Sequence, residues 1–434
     1  MRRPSYAAGQ RRQAGPAARR YTAARFPPVR INPNVARLVC SLSGAEVPHG
    51  GFARPIGLCP CCPPPGKPVV VEYDLDAVRR QLPDPLPSAA ECGLWAWGPL
   101  LPVLEPPPGF AHDVGGVPFS RHERLSEQLG VELFLEHEGV NPSGSFKDRG
   151  LAVGVALGVA SGARRFALPT QGNAGVAASL FSARLGLPGC LVWMPEAWRD
   201  SIYHRACAHF GAEVRFAGPN IATAGRVMRE TLRDELARGE VVDLSTFFEP
   251  GRLEGKKTMG LEIAAFFGVD RLPDAIVYPT GGGTGLVGIW KALRELAALG
   301  RLDPARPLSR MVAVQSANCP PVVEAFRRGL DHVEPVTSLG TIADGLDVPG
   351  AIMGHGILRA LRESGGTAVA VGEDAIVAAF ERCGALGIAA SYESAATLAA
   401  VGELRRTGEI AAGARVLLVH TASHLVALPR TPAA

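Results

Sequence analysis

The chain has 434 residues, more than one simple hydrophobic core accommodates, so roughly two to three domains are expected. Hydrophobic residues make up 47% of the chain and charged residues 20%, as in an ordinary soluble globular protein. The formal net charge of +4 is misleading, because residues 1–37 carry nine arginines and no acid, which leaves 36 basic against 41 acidic residues elsewhere. A mildly acidic body argues against a nucleic-acid-binding surface.

The arginine-rich segment 1–37 lacks the apolar core of a secretory signal. Its prolines Pro16, Pro27, Pro28 and Pro33 oppose an amphipathic helix, so an unstructured tail is predicted. An acid-free, arginine-rich start is also compatible with an organellar transit peptide. No run approaches the roughly 18 apolar residues needed to span a bilayer. We therefore expect a soluble cytoplasmic protein with no membrane or nucleic-acid partner.

Four of the nine cysteines are crowded into a short N-terminal segment. The C-x-x-S spacing that begins at Cys40 and the C-x-x-C spacing of Cys59 and Cys62 together resemble a zinc ribbon in which serine replaces one ligand. Cys40, Cys59 and Cys62 are therefore candidate zinc ligands, and His49 or Cys61 could complete a tetrahedral set. The alternatives are a metal-free knuckle held by turns and disulfides, which are less expected in a chain with no export signal.

From residue 131 onward, short apolar runs with β propensity alternate with longer, alanine-rich helical patterns. This alternation predicts parallel sheets with crossover helices, an α/β architecture. The predicted strands cover residues 166–168, 189–194, 213–216, 275–278, 311–315 and 416–420, and the predicted helices include 151–157, 175–185, 222–238 and 287–296. Ligands of such sheets bind at the carboxyl ends of the strands, so the loops that follow the strands are the candidate sites.

One lysine stands out in residues 141–150, the run Asn-Pro-Ser-Gly-Ser-Phe-Lys-Asp-Arg-Gly. Only five of the 45 basic residues are lysines, and the other forty are arginines. A lysine at position 147 is therefore unusual for this chain. An amine can lose its proton and form a Schiff base, which a guanidinium cannot do. The alternative is an exposed lysine just before a helix.

Residues 281–285 form a glycine-rich loop between a predicted strand and a predicted helix. The backbone N–H groups of the loop and the positive end of the helix dipole would bind one phosphate. The spacing of Gly283, Gly285 and Gly288 also fits a dinucleotide fingerprint, but that fingerprint needs an acid at the end of the next strand, where Gln315 stands. We therefore interpret the loop as a phosphate site formed by Gly281, Gly282, Gly283, Thr284 and Gly285.

A second loop follows the predicted strand 166–168 and contains Thr170, Gln171, Gly172 and Asn173. Backbone N–H groups at the start of the next helix can hold a carboxylate without any basic side chain. Threonine and asparagine would equally suit a plain capping loop. The loop is a candidate binding site for a carboxylate-bearing substrate.

Residues 138–150, E-x-x-N-P-S-G-S-F-K-D-R-G, resemble the Schiff-base lysine motif of threonine synthases and related fold-type II (tryptophan synthase β-like) pyridoxal phosphate enzymes. The run Arg-Leu-Glu-Gly-Lys-Lys-Thr at 252–258 is similar to their Arg-x-Glu-Gly-x-Lys-Thr segment. The resemblance covers nearly everything after the tail. Two departures are an altered glycine turn at 113–119 and the absence of a glycine-rich continuation after Thr421.

The resemblance implies the cofactor pyridoxal 5′-phosphate (PLP), with Lys147 as the catalytic residue that forms the internal aldimine and then acts as a base. It implies cofactor contacts from Phe146, from Asn173 to the ring oxygen, from the loop 281–285 to the phosphate and from Thr421 to the ring nitrogen. Contacts with the substrate carboxylate would come from Thr170, Gln171 and Gly172. Arg252 would face a substrate phosphate, since guanidinium binds phosphate or carboxylate in a bidentate way, although an arginine on the surface of a helix-opening turn is the alternative.

The implied fold has two three-layer α/β domains with mostly parallel sheets, PLP in the cleft between them and a small cysteine-rich, zinc-ribbon-like head. The expected parts are a disordered tail (1–37), the head (38–75), a large domain (76–154 and 246–434) and a small domain (155–245).

The expected activity is that of a carbon–oxygen lyase of amino-acid biosynthesis, similar to threonine synthase, which converts O-phosphohomoserine and water to threonine and phosphate. A serine or threonine ammonia-lyase, a β/γ-replacement synthase and a catalytically silent binding protein are the alternatives. We expect a homodimer that acts on a small amino acid.

Overall fold

The computed structural model describes residues 29–88, 93–104, 106 and 109–426. In chain order the strands are β1 (Arg30–Ile31), β2 (Val35–Cys40), β3 (Val69–Tyr73), β4 (Val103–Leu104), β5 (Phe119–Arg121), β6 (Glu132–His137), β7 (Arg165–Pro169), β8 (Leu191–Met194), β9 (Glu213–Phe216), β10 (Val241–Asp243), β11 (Ala275–Pro279), β12 (Arg310–Ser316), β13 (Thr367–Val371) and β14 (Arg415–His420). The helices are α1 (Leu75–Gln81), α2 (Glu123–Leu129), α3 (Lys147–Ala160), α4 (Asn173–Arg184), α5 (Ile202–His209), α6 (Ile221–Thr231), α7 (Arg233–Arg238), α8 (Gly251–Phe267), α9 (Thr284–Ala298), α10 (Pro321–Arg327), α11 (Gly354–Glu363), α12 (Glu373–Ala385) and α13 (Tyr392–Arg406).

Two parallel sheets organise the body of the protein. The larger sheet has the order β13-β12-β11-β14-β6-β5 and is parallel except for its edge strand β5, which runs antiparallel to β6. The smaller sheet has the order β10-β7-β8-β9 and is parallel throughout. Strands such as β8 and β11 are buried along their whole length, because crossover helices cover both faces of such sheets. The predicted α/β class is confirmed.

Most predicted elements lie within one or two residues of the observed ones. The helix predicted over 222–238 is wrong as a single element, because the backbone leaves helical geometry at Leu232 and divides the segment into α6 and α7. Strand β13, at the edge of the larger sheet, has no counterpart among the predicted strands. None of the helices in the described part of the chain has the length and apolarity required to cross a bilayer.

The tail predicted over residues 1–37 is too long at its C-terminal end. Residues 1–28 lie outside the described part of the chain, but β1 pairs antiparallel with β4 and β2 begins before residue 38. The buried side chain of Asn32 explains this order, since its amide donates to the backbone carbonyl oxygens of Gly98, Pro99 and Leu101 at 3.0, 3.1 and 2.7 Å. A buried amide satisfied by three carbonyl groups fixes the chain against the body.

Helices α3 and α8 connect the two sheets in opposite directions. Helix α3 leads from β6 of the larger sheet to β7 of the smaller one, and α8 leads back from β10 to β11. The two helices pack so closely at Gly255 that a Cβ atom added there would lie 2.0 Å from the carbonyl oxygen of Arg149. Both helices are buried over most of their length, so any charged side chain on them must find its partners inside the protein.

Candidate active site

Lys147 lies at the carboxyl end of the larger sheet, beside Thr421. The loop after β6 carries the lysine and the loop after β14 carries the threonine, and these two strands are parallel neighbours. The loops are joined by backbone hydrogen bonds from Phe146 N to Thr421 O (2.8 Å) and from Ser423 N to Gly144 O (3.0 Å). The sheet therefore brings two residues together that are 274 positions apart in the sequence.

The amine of Lys147 faces a cleft of about 450 Å³. Burial and the nearby positive charge of Arg252 lower the pKa of Lys147 to about 7, although the carboxylate of Glu393 acts in the opposite direction. The Nζ atom lies 4.2 Å from the centroid of the Phe146 ring, which forms part of the same wall. A lysine with this pKa can both accept and donate a proton near neutral pH.

The glycine-rich loop forms a second wall of the cleft. Gly281, Gly282, Gly283 and Thr284 line it, whereas Gly285 packs beneath the loop, where an added Cβ would lie 2.0 Å from the Tyr278 hydroxyl. Gly283 has a φ of +76° and precedes α9, which has no side-chain cap at its N-terminus. The first N–H groups of this 15-residue helix are therefore free of a side-chain cap and suited to a phosphate.

The loop 170–173 forms a third wall at the start of α4, which also lacks a side-chain cap. The Thr170 hydroxyl is engaged inside the loop, since it accepts from the backbone N–H groups of Gly172 (3.0 Å) and Gly175 (3.3 Å). Asn173 is different, because its Oδ1 atom is buried and has no hydrogen-bond partner among the described residues. Gln171 and Gly172 complete this wall.

Arg252 enters the cleft from the first turn of α8 and is only 2% exposed. Its Nη1 donates to the carbonyl oxygen of Leu244 at 2.6 Å, but its Nε is buried without a partner in the described part of the chain. Burial lowers the pKa of Arg252 to about 10, with the charge of Glu249 opposing this shift. The guanidinium therefore keeps a free donor for an anion that enters the cleft.

Two further residues that line the cleft were not identified as site residues from the sequence. Glu393, at the start of α13, accepts a hydrogen bond from Gly345 N at 2.9 Å and lines the cleft. Arg229 lines it as well, but its Nε is paired with Asp243 at 2.8 Å. Residues 392–396 resemble a family segment, but the resemblance gives Glu393 no role, and Arg229 belongs to an unremarkable helical run.

Lys256 is a fully buried lysine directly behind Lys147, and it was not identified as a site residue from the sequence. Its Nζ donates to the carbonyl oxygen of Phe146 and lies 3.5 Å from the centroid of that ring. Burial and the neighbouring Lys147 hold the pKa of Lys256 well below its usual range. The scarcity of lysines in this chain was a signal that could have identified it. Lys256 is a positioning residue, because it contacts the backbone next to Lys147.

A buried ion cluster anchors the lysine loop from the side opposite the cleft. Arg149 binds Glu138 at 2.6 Å and Glu262 at 2.7 Å, and all three side chains are fully buried. Glu262 also accepts from the backbone N–H of Gly116, in the altered turn 113–119. The turn is therefore held by the same cluster that fixes the helix of Lys147.

The cysteines form a separate cluster in the head. The sulfur atoms of Cys40, Cys59 and Cys62 lie within 4.8 Å of one another, whereas His49 and Cys61 do not belong to the group. Cys40 ends β2 and the other two lie in the following loop. The spacing rule thus identified three side chains that the fold brings together.

The cleft fits a phosphorylated aldehyde cofactor. The uncapped helix α9 and its glycine loop suit the phosphate, and the unpartnered amide of Asn173 provides a polar contact that only an incoming group can satisfy. Lys147 supplies an amine with a lowered pKa in the same cleft. The fold and the site together are those of an enzyme that binds such a cofactor.

Residues 111–422 match the family described as pyridoxal-phosphate dependent enzyme. Threonine synthase from Methanosarcina acetivorans is 31% identical over 363 residues, which cover 83% of this chain and 84% of that protein. Threonine synthase from Methanocaldococcus jannaschii is 30% identical over 352 residues, which cover 80% and 84%. The chain therefore belongs to the pyridoxal-phosphate dependent enzymes of fold type II and is threonine synthase-like.

Solved structures with the same fold include maize serine racemase, with a TM-score of 0.60, 18% identity and coverage of 71% of this chain and 88% of that one. The processed form of threonine deaminase isoform 2 from Solanum lycopersicum has a TM-score of 0.59 and 20% identity, and the match covers 71% and 79%. At these identities the likeness shows the fold alone. The predicted cofactor and family are confirmed, and the roles of individual residues stay predictions.

Proposed function

We propose that this protein converts O-phosphohomoserine and water to threonine and phosphate. The observation that carries the proposal is Arg252, a buried guanidinium that opens into the same cleft as Lys147 and keeps an unpartnered Nε. A buried charge without an ion-pair partner is costly, so its presence in a cleft favours an anionic ligand. A substrate phosphate would supply that partner in a bidentate geometry.

Three anion sites would divide the charges of cofactor and substrate. The start of α9 would hold the cofactor phosphate, and the uncapped start of α4, with Gln171 and Gly172, would hold the substrate carboxylate. Arg252 would hold the substrate phosphate. Each site uses backbone N–H groups or a guanidinium, so the arrangement leaves the Lys147 amine as the group that moves protons.

Lys147 would move the protons of the reaction. With a pKa of about 7, its amine exists in both protonation states near neutral pH, so it can remove a proton from Cα and return one later. The cofactor, when bound, supplies the electron sink for the resulting negative charge. Phe146 would cover one side of the amine, and Asn173 and Thr421 would orient the ring.

An ammonia-lyase acting on serine or threonine is the second candidate. The fold is shared with threonine deaminase, and Gln171 stands in the loop proposed to hold the substrate. An uncharged hydroxy amino acid would leave the buried Nε of Arg252 without a partner, which disfavours this candidate.

The test measures phosphate release from O-phosphohomoserine and keto-acid formation from threonine and serine with the PLP-loaded protein. Phosphate release with threonine as product is expected to dominate. Arg252→Ala should lower kcat/KM for O-phosphohomoserine about 10- to 100-fold, as expected for a lost charge-assisted hydrogen bond, and should change turnover of an uncharged amino acid much less.

Arg184→Ala is the matched control, because this arginine pairs with Asp113 at the surface and leaves the cleft untouched. Keto-acid formation as the main reaction, or equal losses on both substrates in Arg252→Ala, would refute the proposal. The homodimer and the cytoplasmic location stay predictions, and light scattering of the purified protein tests the first.

A further inference from the structure

The head of the molecule contains three free thiols that have been brought together from two parts of the sequence. The Sγ atoms of Cys40 and Cys62 are 3.5 Å apart, and that of Cys59 lies within 4.8 Å of both. Cys40 and Cys59 are fully buried, while Cys62 is half-buried. Tetrahedral zinc with Zn–S distances of about 2.3 Å places its sulfur ligands about 3.8 Å apart. The observed spacing fits a metal better than a disulfide, whose sulfur atoms are about 2 Å apart.

The backbone fixes both cysteine turns. Cys40 N donates to Ala45 O at 2.8 Å and Gly44 N donates to Cys40 O at 2.9 Å, which closes the turn after β2. Cys59 is held by an antiparallel bridge to Lys67. Two turns fixed in this way bring three sulfur atoms within 4.8 Å of one another, and thiolate is the form of cysteine that binds metal.

No fourth ligand from the described residues joins the three sulfur atoms. Cys61 is exposed and does not belong to the cluster, and Ser43 stands at the position of the absent fourth cysteine. A serine hydroxyl is not a usual zinc ligand. The half-buried Cys62 marks the side from which solvent reaches the site.

We propose that Cys40, Cys59 and Cys62 bind one zinc ion through three thiolates, with a water molecule as the fourth ligand. Thiolate ligands select zinc over the hard cations magnesium and calcium, and the three thiols lose their protons when the ion binds. The ion links the end of β2 to the loop that precedes β3. The water molecule leaves one exchangeable position on the ion, unlike the four protein ligands of an ordinary structural zinc site.

Such an ion would stabilise the contact between the head and the catalytic body. The loop is already joined to the residues before β3, since Cys59 N donates to Lys67 O at 2.7 Å. At the end of β3, the Tyr73 hydroxyl donates to Glu254 of α8 at 2.9 Å, and Ser41 contacts His355 of α11 at 3.1 Å. Removing the ion should therefore lower the thermal unfolding midpoint of the whole protein.

The test is the zinc content of the full-length protein, purified without chelator and measured by elemental mass spectrometry. One zinc per chain is expected in the wild type and in Cys61→Ser, which alters an exposed thiol of the same loop. Cys59→Ser and Cys62→Ser should lose the ion. Zinc retained in Cys59→Ser, or lost from Cys61→Ser, would overturn the ligand set.

A second measurement keeps the proposal testable if the cysteine variants do not fold. Wild-type protein stripped with a chelator is titrated with Co²⁺, which should produce the absorption of thiolate-bound tetrahedral cobalt at one ion per chain, reversed by zinc. Folded protein that contains no zinc and takes up neither ion would refute the site. PLP binding is recorded in parallel, so that a failure of the metal site is distinguished from a failure of the cofactor site.

Discussion

Two buried arginines, one on each helix between the sheets, have opposite surroundings. Arg149 of α3 is paired with two carboxylates, those of Glu138 and Glu262, within 2.7 Å. Arg252 of α8 has no carboxylate within ion-pair distance among the described residues, and its Nε lacks a partner. The paired arginine links three buried charges of the fold, and we expect the unpaired one to bind a ligand.

The lysines of the core show the same contrast. Lys257 binds Glu254 at 2.7 Å and Glu295 at 2.9 Å, on the side of α8 that faces the head. Lys147 and Lys256, on the cleft side, have no ion-pair partner in the described chain, and burial lowers the pKa of both. The two unpaired amines lie around Phe146 on one side of the helix pair, and we expect that side to be the catalytic one.

The largest effect is expected at Lys147. Lys147→Ala should reduce turnover by at least about 100- to 10,000-fold, the contribution typical of a positioned acid–base group, and should abolish covalent attachment of PLP. Lys147→Arg is the control that keeps the positive charge, and it should be equally inactive because guanidinium cannot form a Schiff base. Substantial activity in either variant, measured by phosphate release, would contradict the assignment.

The next effect concerns stability and separates the two arginines. Arg149→Met should lower the free energy of unfolding by about 3–5 kcal/mol, because it leaves Glu138 and Glu262 buried without their cation. Arg184→Met, which removes a surface pair, should cost about 0–1 kcal/mol, and Arg252→Met should unfold close to the wild type. Denaturant unfolding monitored by circular dichroism measures all three. A wild-type free energy of unfolding in Arg149→Met, or a large loss in Arg252→Met, would contradict the different roles expected of the two arginines.

The smallest effect is a change in pH dependence. Burial and Arg252 lower the pKa of Lys147 to about 7, so the reactive neutral amine should increase as the pH rises through 7. Arg252→Met removes a nearby positive charge and should raise that midpoint by about one unit. Lys256→Met should leave it nearly unchanged, because the pKa of Lys256 is itself held low.

Competitive acylation of Lys147 in the cofactor-free protein, followed by mass spectrometry across the pH range, measures the midpoint without any turnover. A midpoint near the ordinary value of 10.5 in the wild type would show that the amine is not tuned by its surroundings.

The local sequence pattern was sufficient to predict the strands and the loops that follow them. The glycine loop 281–285 and the loop 170–173 lie where short apolar strands meet helices, and both line the cleft. The cysteine spacing also identified the three sulfurs that cluster. In each case the residues that act together are either close in sequence or placed by the general rule that parallel strands end at one edge.

Side-chain contacts between residues far apart in the sequence could not be predicted from the local pattern. The run Arg-Leu-Glu-Gly-Lys-Lys-Thr at the start of α8 has the composition of an exposed helix, yet it is buried. It is buried because Lys257 pairs with Glu295 and the Thr258 hydroxyl meets Arg149, contacts that span 38 and 109 residues. No periodicity encodes such partners, and for the same reason Arg229 and Glu393 were missed as cleft residues.

We infer that the unpaired amine of Lys147 carries the cofactor. Borohydride reduction of the PLP-loaded protein, followed by proteolysis and mass spectrometry, tests this inference. One phosphopyridoxyl group per chain is expected on the peptide that contains Lys147, in the wild type and in Arg252→Ala alike. A protein that takes up no PLP, or one labelled at Lys256 or another lysine, would contradict it.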